Sequence, residues 1–362
     1  MRILYCTNSG NAVDYFRAVM PANYINRTYG HTIDVKKITE LGWGLADYDI
    51  VHFHANHLQS PGFRQVLQES KSRLFMDVDD YWILPKSSPY YEVHKTKDFI
   101  FHFANRIECV TTTTKIFKKE LDKHFKKVVV IPNAIDTEIM QYKAKETHSK
   151  RFRVGLIGGA SHLHDIDQLR GIEKYLSNEL KHDLQIVLAG FNVSGLSMPE
   201  LSIWNEYEQL LTNNYGLIND DYRNYLLNYN SQDYPVVDDM PYKRLWSKPI
   251  DEYATLYNEI DVLLAPLEYH KFNCMKSELK AIEAGVMGKP LICSNVGIYE
   301  ELFKGSDNAI VVKSQDAREW ARAIKALMNK DTYQAKKDNL QQFVKKRYNI
   351  DNICKKRLEL YK

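Results

Sequence analysis

The stretch Phe272-Asn-Cys-Met-Lys-Ser-Glu-Leu-Lys-Ala-Ile-Glu-Ala-Gly285 lies between two short apolar runs, and the fold can be worked out from it. It is preceded by Ile260-Asp-Val-Leu-Leu-Ala-Pro266, which is typical of a buried strand that a proline ends. It is followed by Lys289-Pro-Leu-Ile-Cys-Ser294, a second short strand. Apolar residues recur within the stretch at helical spacing, which predicts a helix that begins near Asn273. Strand, loop, helix and strand in this order indicate an α/β protein.

Lys276 and Ser277 are predicted to lie in the first turn of this helix. Backbone N–H groups in a first turn have no partner within the helix, and the helix dipole makes this end positive. A lysine at such a turn, on a strand–loop–helix unit, makes a place for a phosphate. Glu283 lies two turns further on, on roughly the same side, and could accept hydrogen bonds from ribose hydroxyls. The alternative is an ordinary amphipathic helix with a solvated charged face.

The chain has 362 residues, more than one hydrophobic core usually supports, so we expect two domains. We predict a first doubly wound domain over residues 1–140 and a second over residues 151–348, with residues 195–246 inserted in the second. The helix at 350–362 could pack back on the first domain. The net charge of +3 neither requires nor excludes a nucleic-acid partner.

The cysteines and the amino terminus indicate a cellular compartment. Five widely spaced cysteines, mostly in apolar runs, favour reduced thiols over a disulfide framework or a zinc site. No signal-peptide pattern fits the amino terminus, and no apolar run approaches the ~18 residues that a membrane span needs. We therefore expect a cytoplasmic protein, in the host cytoplasm if a phage encodes it, with room for peripheral membrane contact.

The first half opens as a strand, a loop and a helix. Residues 2–6 predict the strand, the loop after it contains Gly10, and a helix is predicted over residues 13–25. A loop with a single glycine is only a weak signal for phosphate binding. Arg17 lies on the helix and could reach back toward the carboxyl edge of the sheet, or it could remain on the surface.

Two later strands of the first half end in titratable residues. One ends in His54, with His57 nearby, and the next leads into Asp77, Asp79 and Asp80. Ligands of open parallel sheets gather outside the carboxyl ends of strands, so these residues are site candidates. An Asp-x-Asp pattern holds a divalent metal in some transferases, but such a site needs further oxygen ligands. We expect these carboxylates to orient a substrate or a neighbouring histidine.

The strand–loop–helix pattern starts again near residue 153. Gly158 and Gly159 follow the strand and let a backbone come close to a ligand, and His162 borders the same loop. The segment 195–246 is rich in tyrosine, asparagine and acidic residues. That composition suits carbohydrate or base stacking, and it also suits helices whose tyrosines pack on the main sheet.

Four motifs together resemble glycosyltransferase family 4 and its relatives, which have the GT-B fold. They are Val130-Ile-Pro-Asn-Ala-Ile-Asp136, Gly158-Gly-x-x-His162, Asp261-Val-Leu-Leu-Ala-Pro-Leu267, and Phe272-Asn with the Lys276-Ser and Glu283-Ala pairs that follow it. The resemblance covers essentially the whole chain. It implies an α/β fold of two doubly wound, Rossmann-like domains that face each other across a cleft.

The resemblance also implies a transferase that holds a UDP- or GDP-linked sugar with its second domain, retains the anomeric configuration and needs no metal or other cofactor. In the family, a motif of two glutamates separated by seven residues spans the donor sugar and the ribose. Its second position here is Glu283, but its first is Met275, which cannot accept a hydrogen bond from a sugar hydroxyl. We therefore expect Asn273 or Glu278 to contact the donor sugar, and Lys276 to anchor the diphosphate.

The predicted site thus has three parts. The donor-binding residues are Gly10, Gly158, Gly159, His162, Asn273, Lys276, Ser277, Glu278 and Glu283; the catalytic residues are His54, Asp79, Asp80 and Lys276; the acceptor-side residues are Arg17, His57 and Asp77.

The acceptor stays open between two hypotheses. One is a surface polysaccharide or glycolipid. The other is DNA with a hydroxymethylated base, for which basic clusters at residues 115–127 and 143–153 could line a groove. A nucleotide-sugar epimerase or a non-catalytic sugar-binding relative is a further alternative with a similar fold. The sequence does not indicate an oligomeric state.

Overall fold

The computed structural model describes residues 1–8, 11–41, 44–88, 91, 98–145, 147, 149–191, 206–209, 240–313 and 316–362. Within these ranges the chain forms two parallel sheets of six strands, and apolar clusters cover both faces of each sheet. This confirms the predicted α/β class with two doubly wound sheets. Gly10 and most of the predicted insertion 195–246 lie outside the described residues.

The first sheet has the spatial order β2-β1-β3-β4-β5-β6. Its strands are β1 Ile3–Thr7, β2 Ile33–Lys37, β3 Ile50–His54, β4 Arg73–Asp77, β5 Ile107–Thr112 and β6 Val128–Val130. Every residue of β1 and β3 is buried, as expected for strands that are covered on both faces. The register pairs His54 with Asp77 at the carboxyl ends of β3 and β4.

The second sheet has the spatial order β12-β11-β10-β7-β8-β9. Its strands are β7 Phe152–Ile157, β8 Leu184–Phe191, β9 Tyr242–Trp246, β10 Val262–Ala265, β11 Leu291–Ser294 and β12 Ile310–Val312. Strand β9 pairs with β8 in parallel, so the end of the predicted insertion belongs to the main sheet. The sequence did not predict this strand, because it lies in the segment that is rich in tyrosine.

Helices connect the strands of both sheets. Their bounds are α1 Ala12–Asp14, α2 Met20–Tyr29, α3 Pro61–Glu69, α4 Lys115–Leu121, α5 Leu163–Ile166, α6 Ser177–His182, α7 Lys271–Cys274, α8 Leu279–Val286, α9 Ile298–Phe303, α10 Ala317–Leu327, α11 Lys330–Arg347 and α12 Ile350–Glu359. A π-helical stretch, Tyr15–Val19, joins α1 to α2. Among the described residues, we find no helix with the length and apolar character of a membrane span. All five cysteines are free thiols.

The end of the chain returns to the first sheet. Helix α12 packs against α2, and the hydroxyls of Tyr361 and Tyr5 lie 2.7 Å apart. Arg73 donates from Nη1 to the carbonyl of Tyr361 at 2.8 Å. The structure therefore shows that the C-terminal helix packs back on the first sheet, which the sequence had left open.

The carboxyl edges of the two sheets meet. Asn133, which follows β6, donates from Nδ2 to Oγ of Ser277, which follows β10, at 3.2 Å. Lys271 donates to Glu120 at 2.7 Å, and Ser87 donates to Glu268 at 3.2 Å. These contacts show that the segments after the strands of one sheet face those of the other, and the candidate site lies between them.

Candidate active site between the two sheets

The segment between α7 and α8 differs from the sequence prediction. One helix was predicted to begin near Asn273, but α7 ends at Cys274 and α8 begins only at Leu279. Lys276 and Ser277 therefore precede the helix and do not lie in its first turn. The break has a tertiary cause, because Gly297 lies directly against this segment. A Cβ at Gly297 would lie 2.7 Å from the carbonyl oxygen of Cys274.

Two lysines lie near the start of α8. Lys276 has its Nζ 4.8 Å from the ring centre of Phe272, and Lys280 lies one turn further on, in α8. Burial, followed by the charge of Lys276, lowers the pKa of Lys280 to about 8. Two cations this close repel each other, so the place between them favours an anion.

His162 lies close enough to Lys276 to feel its charge. Its Nδ1–H donates to Oδ2 of Asp165 at 2.8 Å, which leaves Nε2 as the free ring nitrogen. Burial, then the charge of Lys276, lowers the pKa of His162. Asp165 is fully buried, which by itself would raise its pKa, but the hydrogen bond and charge of His162, together with the charges of His164 and Lys276, lower the pKa to about 2. Asp165 thus remains a carboxylate that fixes the orientation of the imidazole.

The predicted glycine loop lies beside His162. A Cβ at Gly158 would be in ordinary contact with the His162 ring, 3.5 Å away, whereas a Cβ at Gly159 would meet nothing within 4 Å. The backbone at Gly159 is therefore open to a ligand. A further glycine is needed here, because a Cβ at Gly190 would lie 2.2 Å from the carbonyl oxygen of Gly158.

Asn273 and Glu278, which we predicted to contact a donor sugar, do not face the open cleft. Asn273 is 0% exposed and donates from Nδ2 to Asp165 at 2.5 Å and to the carbonyl of Glu268 at 2.9 Å. Glu278 is 3% exposed, and burial raises its pKa. Asn273 supports Asp165, and Glu278 is buried at the start of α8; a donor-sugar contact by either residue stays a prediction.

Glu283 lies deeper than predicted. It is 1% exposed, and its oxygens accept hydrogen bonds from the hydroxyls of Tyr253 and Tyr257, the second at 2.5 Å. Lys280 also donates to it at 3.2 Å. Burial raises the pKa of Glu283 well above its usual range. A ribose contact at Glu283 stays a prediction, and it requires a ribose hydroxyl to replace a tyrosine hydroxyl.

Arg17 and Asp77 pair with each other inside the first half. The guanidinium of Arg17 donates from Nε and Nη2 to the two oxygens of Asp77, at 2.5 and 2.8 Å. Thr111 donates to the same carboxylate at 2.7 Å. Both members of the pair are at most 3% exposed. A surface position for Arg17 is therefore wrong, and the place of Arg17 and Asp77 on the acceptor side stays a prediction.

Two histidines near this pair each donate to a carboxylate. The Nδ1 of His54 accepts the N–H of Asn56, so its Nε2–H donates to Asp79 at 2.8 Å. Burial alone would lower the pKa of His54, but the charge and hydrogen bond of Asp79 raise it. Asp79 thus orients a neighbouring histidine, one of the two roles expected for it. Asp80 is half-buried in the bend that follows.

His57 makes the second pair. Its Nε2–H donates to Asp14 at 3.0 Å, while its Nδ1 accepts the N–H of His54. His57 is 2% exposed, and its place on the acceptor side stays a prediction. A small cavity beside Asp14, Arg17 and His54 measures about 10 Å³, which is room for about one water molecule and not for a sugar. An acceptor must therefore bind outside this cavity.

One group of residues has the spacing of a cation site. Ligand atoms of His164, Asp165 and His270 lie within 4.8 Å of one another. However, Oδ1 of Asp165 already accepts hydrogen bonds from the N–H of Glu268 and the amide of Asn273. The Nδ1 of His270 accepts the N–H of Asn273, which places the ring proton on Nε2. Among the described residues, both ring nitrogens of His164 and Nε2 of His270 are buried without a hydrogen-bond partner, so only Asp165 in this group is fully engaged by hydrogen bonds.

The carboxylates of the Asp-x-Asp pattern, which we expected to orient a substrate or a histidine, have separate partners. Asp77 is held by Arg17 and Thr111, and Asp79 by His54. The two carboxylates therefore bond to different side chains and are not arranged as ligands of one cation.

Sequence reasoning missed three residues of the site. Lys280 had the helical spacing to face the same side as Lys276, which was the available signal. Asp165 was not among the predicted site residues, and Asn133 entered only as part of the motif Val130-Ile-Pro-Asn-Ala-Ile-Asp136. The roles of Asp165 and Asn133 depend on partners that are more than 100 residues away in the sequence, Asn273 for Asp165 and Ser277 for Asn133.

Known proteins share this architecture. Residues 243–330 match the family model described as Glycosyl transferases group 1. Over 115 residues the chain is 25% identical to D-inositol 3-phosphate glycosyltransferase of Corynebacterium urealyticum, covering 32% of this chain and 26% of that relative. The match thus spans about a quarter of the length of that curated relative.

Two solved structures resemble nearly the whole chain. Sucrose-phosphate synthase from Thermosynechococcus elongatus has a TM-score of 0.68 at 14% identity, covering 99% of this chain and 98% of that one. HepE from Anabaena, in complex with UDP and glucose, has a TM-score of 0.67 at 13% identity, covering 100% and 99%.

The fold is therefore the GT-B fold, two doubly wound parallel sheets that meet across a cleft. Within it, residues 243–330 are the part of the chain that matches the model of the group 1 glycosyl transferases. The predicted resemblance is confirmed by these matches, and the predicted enzyme class agrees with them.

Proposed function

We propose that this protein is a glycosyltransferase that moves a sugar from a nucleoside-diphosphate sugar to an acceptor hydroxyl. The observation that carries the proposal is the positive region formed by Lys276 and Lys280, with His162 and the open backbone at Gly159 beside it. A diphosphate carries two negative charges and matches this region. The matched segment 243–330 contains both lysines.

The positive region would act on the leaving group. As the bond between the anomeric carbon and the diphosphate weakens, negative charge grows on the diphosphate. Lys276 and Lys280 stabilise that charge without reorganising, which is usually the largest catalytic contribution. Asp165 holds Nδ1–H of His162, so Nε2 can donate to a phosphate oxygen only after it takes up a proton, which a bound diphosphate would favour.

The acceptor would bind on the facing edge, near His54 and Asp79. The pair is held by a 2.8 Å hydrogen bond, and its position at the carboxyl end of β3 suits the orientation of a hydroxyl. Holding that hydroxyl beside the anomeric carbon supplies the proximity contribution to catalysis.

We propose retention of the anomeric configuration, following the resemblance to family 4. The acceptor oxygen attacks from the face that the diphosphate leaves. The carbon–oxygen bond to the diphosphate breaks, the new glycosidic bond forms, and the acceptor proton passes to the departing phosphate oxygen. The two lysines supply the positive charge at the leaving group, so we expect no rise in turnover when Mg²⁺ is added. Analysis of the product anomer tests the stereochemistry.

The donor base is proposed to be uridine, because the similar structure of HepE was solved with UDP and glucose. Guanosine is the alternative outcome of a donor screen.

For the acceptor we propose a surface polysaccharide or a glycolipid. In helix α4, Lys118 pairs with Asp122, and Lys123 pairs with Glu120, which reduces the positive charge available to DNA. A salt-sensitive gel shift with duplex DNA would instead favour DNA with a modified base.

The test of the proposed function is nucleoside-diphosphate release from a panel of nucleotide sugars. We expect turnover in the wild type and a loss of roughly 10- to 1000-fold in Lys276→Ala, the scale of a lost charge-assisted contact. Lys345→Ala, an exposed lysine in α11, is the matched control and should behave as wild type. Equal turnover in the Lys276 and Lys345 variants would reject the site. Donor turnover without any acceptor product would favour an epimerase.

A further inference from the structure

Asn133 lies where the two halves of the molecule meet. It follows β6 after two residues, it is 3% exposed, and its amide contacts a residue of each half. Its Oδ1 accepts from Nη1 of Arg17 at 3.0 Å, and its Nδ2 donates to Oγ of Ser277 at 3.2 Å. An amide is the side chain that can accept on one side and donate on the other.

The orientation of this amide is fixed by Arg17. Three nitrogens of the guanidinium donate, two of them to Asp77 and the third, Nη1, to the carbonyl of Ile131 and to Asn133. Arginine has no acceptor, so the oxygen of the Asn133 amide must face it. The NH₂ group is then obliged to face Ser277. The buried pair of Arg17 and Asp77 thus determines that Asn133 turns its NH₂ group toward the other half.

Ser277 is the neighbour of Lys276 in the non-helical segment between α7 and α8. This segment cannot rely on a continuous helical hydrogen-bond ladder for its position. A contact from Asn133 therefore bears directly on where Lys276 stands relative to the acceptor side.

We propose that Asn133 is a positioning residue that transmits the placement of the Arg17–Asp77 pair to Ser277 and so aligns Lys276 with the acceptor side of the cleft. This inference rests on the proposed function. It gives the buried arginine a role that differs from contact with a substrate, because Arg17 acts through Asn133.

Removing the contact should change kcat much more than the donor dissociation constant. In Asn133→Ala the donor can still bind between Lys276 and Lys280, so its dissociation constant should change by less than about 3-fold. The alignment of donor and acceptor is lost, and a misplacement of this kind lowers kcat by about 10- to 100-fold. A merely structural role would lower stability without this split between kcat and donor binding.

The experiment is a double-mutant cycle with Asn133→Ala and Ser277→Ala, measuring kcat, donor dissociation constant and melting temperature for each variant. If Asn133 acts through Ser277, the double variant should have no lower kcat than the worse single variant. Ser277→Ala is a small change and keeps the test valid if Asn133→Ala folds poorly. Asn258→Ala is the control, because Asn258 is also buried and holds a distant segment through the N–H of Lys145 at 2.8 Å. It should lower the melting temperature and leave kcat unchanged.

Three results would overturn the inference: additive losses in the cycle, an unchanged kcat in Asn133→Ala, or a loss of kcat in Asn258→Ala equal to that in Asn133→Ala. The wild type separates this outcome from a failure of the proposed function. A wild type that turns over donor while the cycle is additive rejects only the role of Asn133. A wild type that neither binds nor turns over any nucleotide sugar rejects both.

Discussion

Lys280 is where the electrostatics of the site can be measured most simply. Its pKa is lowered to about 8, first by burial and then by Lys276, so it titrates close to physiological pH. A bound diphosphate favours the charged ammonium and would raise this pKa again. Donor binding and proton uptake are therefore coupled at one residue.

We predict that donor affinity is highest below about pH 8 and falls as the pH rises through the pKa of Lys280 in the free protein. The direction follows because the bound state holds a proton that the free state loses above this pH. A nucleotide sugar suits calorimetric titration across this range, because its diphosphate does not titrate there. Lys280→Arg keeps the charge at every pH and should abolish the dependence. A dependence that survives in Lys280→Arg would assign the titration to another group.

At the scale of the element, the segment from Met275 to Glu278 depends on close backbone packing by Gly297. This glycine has φ 56° and lies against Cys274, so both its conformation and its lack of a side chain matter.

Gly297→Ala should lower the free energy of unfolding by about 1–3 kcal/mol and weaken donor binding, because Cys274 must move and Lys276 moves with it. Gly305→Ala is the matched control, with φ 75° and nothing within 4 Å of the added Cβ. It should lose stability through backbone strain alone and keep donor affinity. Denaturant unfolding and a donor titration on both variants measure the difference. Equal donor affinity in both variants would contradict a role for this packing.

The elements that the sequence predicted well are those with a local signal. The runs that became β10 and β11 are short, apolar and ended by proline or polar residues, and their neighbours place α8 between them. The break before α8 could not be predicted, because it depends on Gly297, which is distant in sequence from Cys274. The same limit explains Arg17, whose local pattern does not distinguish a surface arginine from one buried against Asp77.

The candidate site was predicted in part for the same reason. Lys276 and His162 follow strands in a strand–loop–helix unit, and that position alone indicates a ligand. Asn273 and Glu278 occupy the same stretch, but only the packed structure shows that their side chains turn inward.

For the whole molecule, the contacts across the cleft differ greatly in expected strength. Lys271 bonds Glu120 at 2.7 Å, but the lysine side chain is 51% exposed, and such pairs contribute at most about 1 kcal/mol. The Arg17–Asp77 pair beneath Asn133 is at most 3% exposed. Removing one member of a buried pair leaves an uncompensated charge.

We therefore expect Lys271→Ala to lower the free energy of unfolding by less than about 1 kcal/mol, and Arg17→Ala by about 3–5 kcal/mol. Urea unfolding of both variants gives the comparison. Arg17→Lys keeps a charge but cannot make the bidentate contact, so its loss in free energy of unfolding should lie between those of the other two variants. It replaces Arg17→Ala in the comparison if Arg17→Ala does not fold. Similar small losses in all three would mean that the buried pair does not organise this part of the fold.

The central claim is that a diphosphate binds between Lys276, Lys280 and His162. The most direct measurement is the thermal stability of the wild type and of Lys276→Ala with nucleoside diphosphates and nucleotide sugars. A ligand at ~100 times its dissociation constant stabilises a protein by about 2.7 kcal/mol, a clear rise in melting temperature. We predict such a rise with one nucleotide, unaffected by Mg²⁺ and lost in Lys276→Ala. No rise with any nucleotide, or an equal rise in the variant, would contradict the account.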